Sequence, residues 1–136
     1  MRHEIHGRHE THEKMFFEEE SYLIRGAVFE VYKEMGCGFL EAVYHECLTN
    51  EFITSKVPFE SQQSITIFYK GKPIEQKCIP DFICYDKIIV ELKATQTIIP
   101  AQKAQVLNYL KVTGFKLGLL INFGSYPKAE IARIIN

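Results

Sequence analysis

The sequence predicts an α/β domain, a central mixed sheet flanked by helices, with elements in the order ααβββαβ and a short C-terminal element. Three observations lead there. Apolar residues recur at helical spacing from Phe17 to Phe52. The period drops to two, with β-branched residues dominating, between about Gln62 and Ala94. A stretch opened by Pro100 and stopped by Gly114 then precedes one more apolar run, so strands and helices alternate closely enough to share one core.

Taken in order, His3, His6, His9 and His12 recur every third residue with no apolar face, so residues 1–15 read as a disordered His-rich leader or a cloning remnant. Residues 16–136 form the single domain. Ile24, Ala27, Val28, Val31 and Met35 repeat at helical spacing behind the acidic turn Glu18 to Glu20, which suits the positive end of a helix dipole. Gly36, Cys37 and Gly38 end that helix. A second stripe follows at Leu40, Val43, Tyr44, Cys47, Leu48 and Phe52. Turn signals at Gly71-Lys72 and Tyr85-Asp86 divide the next segment into antiparallel strands over roughly 63–70, 74–84 and 87–94. Pro100 opens a third helix that places Ala104, Leu107 and Leu110 on one side. Phe115 to Phe123 reads as a buried strand, and Lys128 to Ile135 as a short terminal helix or strand.

At 136 residues and 46% hydrophobic content, the chain is long enough to bury one core without disulfides or metal staples. Its apolar runs fall far short of the roughly 20 residues a membrane span needs, and no secretory signal is evident, so a cytoplasmic protein with no membrane partner is expected. Cys37, Cys47, Cys78 and Cys84 lack zinc-site spacing and are expected to be reduced core thiols. The net charge of −1 argues against a generic polyanion binder, but the charge is unevenly placed. Residues 1 to 55 carry 5 Lys/Arg against 11 Asp/Glu, whereas residues 56 to 116 carry 9 Lys against 5 Asp/Glu. That basic section is where a phosphate backbone would approach, although lysines solvating sheet and helix faces explain it equally well.

It also holds the most unusual charges in the chain. Side chains alternate along a strand, so Glu91 and Lys93 share one face while Val90, Leu92 and Ala94 share the other. Asp81, in Ile79-Pro80-Asp81-Phe82, joins them if the hairpin has a three-residue loop; a two- or four-residue loop puts it off that face. Two carboxylates and an ammonium on one sheet face suit phosphodiester hydrolysis. Asp81 and Glu91 would be hard oxygen ligands for Mg²⁺ or Mn²⁺, ions that keep several waters and take one or two protein carboxylates. Lys93 would position a water or stabilise transition-state oxygens.

Pro80-Asp81 followed by Glu91-Leu92-Lys93 resembles the signature of the PD-(D/E)XK nuclease superfamily. Gly38, Glu41 and Tyr44 match the GxxExxY pattern of one bacterial family within it, and Ala104 to Leu110, Thr113-Gly114 and Leu119 to Gly124 resemble that family's C-terminal half. The resemblance spans roughly residues 20 to 135. It implies the restriction-endonuclease-like fold, with Asp81, Glu91 and Lys93 as the core set. It further implies Glu41 as the helical acidic residue that binds metal or holds the site, and Gln105 as the polar residue that orients water or the lysine. The first functional expectation is a Mg²⁺- or Mn²⁺-dependent nuclease acting on DNA, as a homodimer because so small a domain offers little surface to grip a duplex.

Each residue also has a plainer explanation. Asp81, Glu91 and Lys93 would serve as cross-strand ion pairs on a solvated face; Glu41 would serve the helix dipole; Tyr44 would be core; His45 would be a lone surface histidine; Gln105 and Tyr109, spaced i, i+4, would share a helix-surface hydrogen bond. Asn122 and Ser125 read as turn and cap formers. The rival function is a nucleic-acid- or partner-binding module on the same fold with little or no hydrolysis, and a more distant one is an RNA-cutting toxin or defence component.

Overall fold

The computed structural model describes residues 17–136. The His-rich leader lies outside the described residues. Helices α1 (Glu18–Met35) and α2 (Glu41–Ser55) are followed by strands β1 (Phe59–Ser61), β2 (Ile65–Tyr69), β3 (Lys72–Cys78), β4 (Phe82–Cys84) and β5 (Ile88–Lys93). Helix α3 (Pro100–Thr113) and strands β6 (Leu117–Asn122) and β7 (Glu130–Ile135) complete the chain. Strands β1-β4-β5-β6-β7 form a five-stranded sheet in that order, and β2 and β3 form a separate two-stranded ribbon. The sheet is mixed: β5 and β6 run parallel through the α3 crossover, and every other neighbouring pair is antiparallel.

The expected fold class stands, with more strands than the pattern suggested. The run expected as one strand over 74–84 is two, because Ile79 to Asp81 leave the ladder at Pro80, which has no N–H to give it. The first half pairs with β2 outside the main sheet, and the second half becomes β4. Three-residue β1 was not anticipated, since it is defined by its pairing with β4 rather than by its own pattern. The C-terminal element is a strand.

The central strands are buried on both faces, which makes three layers. Val90, Leu92, Leu119 and Ile121 meet Ile24, Val28, Tyr44, Leu48 and Phe52 of α1 and α2 in one core. Ile83, Ile89 and Leu120 meet Val106 and Leu110 of α3 in the other. Helix α3 therefore turns Val106 and Leu110 inward, while Ala104, expected on that side, is exposed. Leu40, placed in the α2 stripe by its spacing, is instead 78% exposed just before the helix. Gly118 is what lets α3 sit this close: a Cβ there would lie 2.6 Å from Val106 Cγ1. All four cysteines are free, but Cys37 is exposed rather than a core thiol. No helix among the described residues is long and apolar enough to cross a membrane.

Candidate active site

The β4–β5 hairpin decides where Asp81 goes. Phe82 pairs with Val90 and Cys84 with Ile88, leaving Tyr85, Asp86 and Lys87 as a three-residue loop. Continuing that register brings Asp81 opposite Glu91. The two then hold each other through backbone groups: the Asp81 N–H donates to Glu91 Oε1 at 3.0 Å, and the Leu92 N–H donates to Asp81 Oδ2 at 2.8 Å. Each carboxylate is thus fixed by the strand that carries the other. Because β4 starts where β5 ends, Lys93 lies at the same margin of the sheet.

Glu91 is 6% exposed, the one buried carboxylate among the described residues. Burial, and then the neighbouring Asp81 charge, push its pKa up to about 8, against the opposing pull of the Asp81 N–H and of Lys93. Ionising Glu91 therefore costs more here than the Asp81 N–H and Lys93 offset. Glu41, at the first position of α2, stands at the open side of the cleft. Its pKa is raised by partial desolvation and then by Asp81, while Lys93 and His45 oppose the shift. Glu41, Ala42, His45, Gln62 and Asp81 line an opening of about 530 Å³.

Tyr44 explains how α2 is aimed at this cleft. Its ring stacks on Phe123 at a centroid distance of 4.5 Å. Its hydroxyl donates to Gly36 O at 2.6 Å and accepts from the Phe39 N–H at 3.2 Å. The Gly38 to Tyr44 motif is a latch: Gly38 takes a φ of 109° that side chains disfavour, Tyr44 ties down the loop, and Glu41 projects from it.

Of the sequence-predicted residues, the fold brings Asp81, Glu91, Lys93 and Glu41 together. Gln105 is different. Its side-chain N–H donates to Tyr109 Oη at 3.1 Å, so the hydrogen bond expected to serve Lys93 goes to its own helix. Tyr109 itself feels the site: burial, then Glu91 and Cys78, raise its pKa to about 12.

His45, set aside as a surface histidine, is a site neighbour that the sequence reading missed. It stacks on Phe82 at 4.4 Å, and its Nε2 is 3.9 Å from Asp81 Oδ1, 3.4 Å from Asp81 O and 3.4 Å from Ser61 Oγ. The available signal was its i, i+4 spacing from Glu41. Asn122, read as a turn former, is fully buried. Its Oδ1 accepts from the Thr95 and Gly124 N–H groups, and its Nδ2 donates to Glu130 Oε1 at 3.2 Å, which fixes the chain just beyond Lys93. A larger, mostly apolar cavity of about 850 Å³, between α1 and the segment entering β7, contains none of these residues.

A model of the PD-(D/E)XK nuclease superfamily matches residues 18–134. The chain belongs to that superfamily. Its members are generally metal-dependent nucleases, and the mixed sheet flanked by helices is consistent with their fold. The solved crystal structure of SSO0001 superposes with a TM-score of 0.58 at 19% sequence identity, covering 70% of this chain and 49% of that one. The chain thus spans about half the length of that structure, and the likeness concerns the fold alone. No curated protein matches the chain.

Proposed function

We propose that this superfamily member is a divalent-metal-dependent nuclease of the GxxExxY type that hydrolyses phosphodiester bonds in DNA. The observation that supports the reading is the reciprocal Asp81–Glu91 arrangement, in which one oxygen of each carboxylate accepts a backbone N–H from the other's segment and the second oxygen is left for a ligand. The donor set fits a small hard cation. Among the described residues no group of three or more His, Cys, Asp or Glu side chains forms a cage, but Mg²⁺ and Mn²⁺ take one or two carboxylates and complete their shell with water. Asp81 and Glu91 would hold the ion, and a cation bound there would favour the ionised form of Glu91 that burial disfavours. When bound, such an ion lowers the pKa of a water and offsets charge growing on the phosphate.

The remaining work falls to the chain's own groups. Lys93 offers an ammonium to the transition-state oxygens. Glu41, open to solvent on the first turn of α2, faces the side from which water and substrate enter. Gln105 is retained as a site residue through Tyr109, whose position against Glu91 it fixes.

The test is cleavage of labelled single-stranded, duplex and branched DNA, with RNA for comparison, in Mg²⁺ and in Mn²⁺. Lys93→Ala should keep divalent binding by calorimetry and lose roughly a thousandfold or more in rate, whereas Asp81→Ala should lose both. A wild type that binds no divalent ion and cuts none of these substrates sinks the reading. The missing third donor would then favour a binding module on the same fold.

A further inference from the structure

The β2–β3 ribbon takes no part in the sheet, and beyond its root no other described element covers it. Ile65 packs into the α3-side core and Cys78 is buried, but every residue from Phe68 to Lys77 is exposed. A lone two-stranded ribbon is marginal in water, and this one displays Phe68 at 63%, Tyr69 at 65% and Ile74 at 39% exposure. Its tip is a two-residue turn, Lys70-Gly71, between the paired residues Tyr69 and Lys72. Both turn residues have positive φ, 52° at Lys70 and 80° at Gly71, the geometry that normally selects Asn-Gly. A lysine occupies a position that disfavours it, and a second lysine follows the turn. Over residues 65 to 78, Lys70, Lys72 and Lys77 face the single acid Glu75.

We infer that this ribbon is an arm that enters the major groove of duplex DNA and guides it to the Asp81 cleft, an inference that rests on the nuclease reading of that cleft. A two-stranded ribbon is one of the two elements a major groove of about 12 Å admits. The arm runs four residues from Thr66 to the tip, roughly 13 Å at the rise of a strand, enough to cross the groove and set the tip lysines against phosphates. Phe68 and Tyr69 are adjacent and therefore point to opposite faces. A second protein surface would cover one face, whereas the walls of a groove meet both. The pairing register shifts between Thr66 and Phe68, an irregularity close to the root of the arm. The root is also next to the chemistry: Cys78 is three residues before Asp81, close enough that the Glu91 charge helps raise its thiol to about 11, after burial itself. The deep, narrow major groove of duplex RNA would exclude such an arm.

The experiment is fluorescence anisotropy with a labelled DNA duplex longer than two helical turns, in EDTA, across a salt series, using the full chain. Lys70→Gln with Lys72→Gln should weaken binding roughly tenfold and flatten the salt dependence by about two ions. Phe68→Ser should weaken binding at every salt concentration without changing that slope. Lys103→Gln with Lys111→Gln, an equal charge change on the exposed face of α3, should do neither. The inference is overturned if that control loses as much, if duplex RNA binds as tightly as DNA, or if the arm variants bind DNA as the wild type does. It is overturned too if Phe68→Ser with Tyr69→Ser merely splits a dimer in the ultracentrifuge and leaves DNA affinity unchanged. Binding is read without divalent ions, so an inert Asp81 cleft would show itself separately in the cleavage assay.

Discussion

The five-stranded sheet and the β2–β3 ribbon are made of similar residues and end in opposite environments. Ile88-Ile89-Val90 of β5 is wholly buried, while Phe68-Tyr69 of β2 is open to solvent. Strand composition does not separate them. What does is the supply of covering layers: the sheet has α1 and α2 on one face and α3 on the other, and helix α3 reaches the ribbon only near its root. Residues of the sheet therefore act by packing against one another. Those of the ribbon are left open by the other described elements.

The strongest way to break that contrast is truncation in each region. Leu119→Ala, in a fully buried site shared by β6 and the helices, should cost about 2–5 kcal/mol in urea unfolding. Ile74→Ala on the ribbon should stay within about 0.5 kcal/mol. Equal costs would mean that the ribbon is part of the core.

An effect of up to about 5 kcal/mol should appear at Glu91, where the sheet buries a charge. Because its folded pKa is raised to about 8 from 4.5, the folded chain holds a proton there that the unfolded chain has released. That stabilisation is complete below pH 4.5 and is lost as the pH rises through 8. Glu91→Gln should therefore match the wild type near pH 5 and exceed its stability near pH 8.5 in metal-free buffer. A difference independent of pH would show that the carboxylate is not buried as described.

The mildest probe sharpens the same contrast with thiols, in the native state at pH 8. Burial raises Cys78 to about 11 and Cys84 to about 12, so both should resist alkylation, while exposed Cys37 reacts at once. Rapid modification of Cys84 would place it outside the sheet.

Much of this was legible in the residues because local chemistry decided it. Pro100 and Gly114 bound α3 where they stand, Gly114 in a left-handed conformation with φ of 78°, and alternation assigned Glu91 and Lys93 to one face. Asp81 needed the hairpin register, which three loop lengths left open and which the pairing of Cys84 with Ile88 decides. Pro80 was visible as a strand breaker but sat inside a pattern that continued on both sides of it. The companions of the site, His45 over Phe82 and Gln105 on Tyr109, depend on how helices dock against the sheet, a distance in space that no short spacing records.

The mutual grip of Asp81 and Glu91 has a bearing on how such a chain changes over generations. A replacement at either position frees a backbone N–H on the opposite strand as well as removing an acid, so the first loss makes the surviving partner less well held. Variation at these two positions is then not independent. Descendants of this chain should keep both acids or shed both, with single losses as short-lived intermediates, and a drifting lineage would lose the pair long before it lost the sheet.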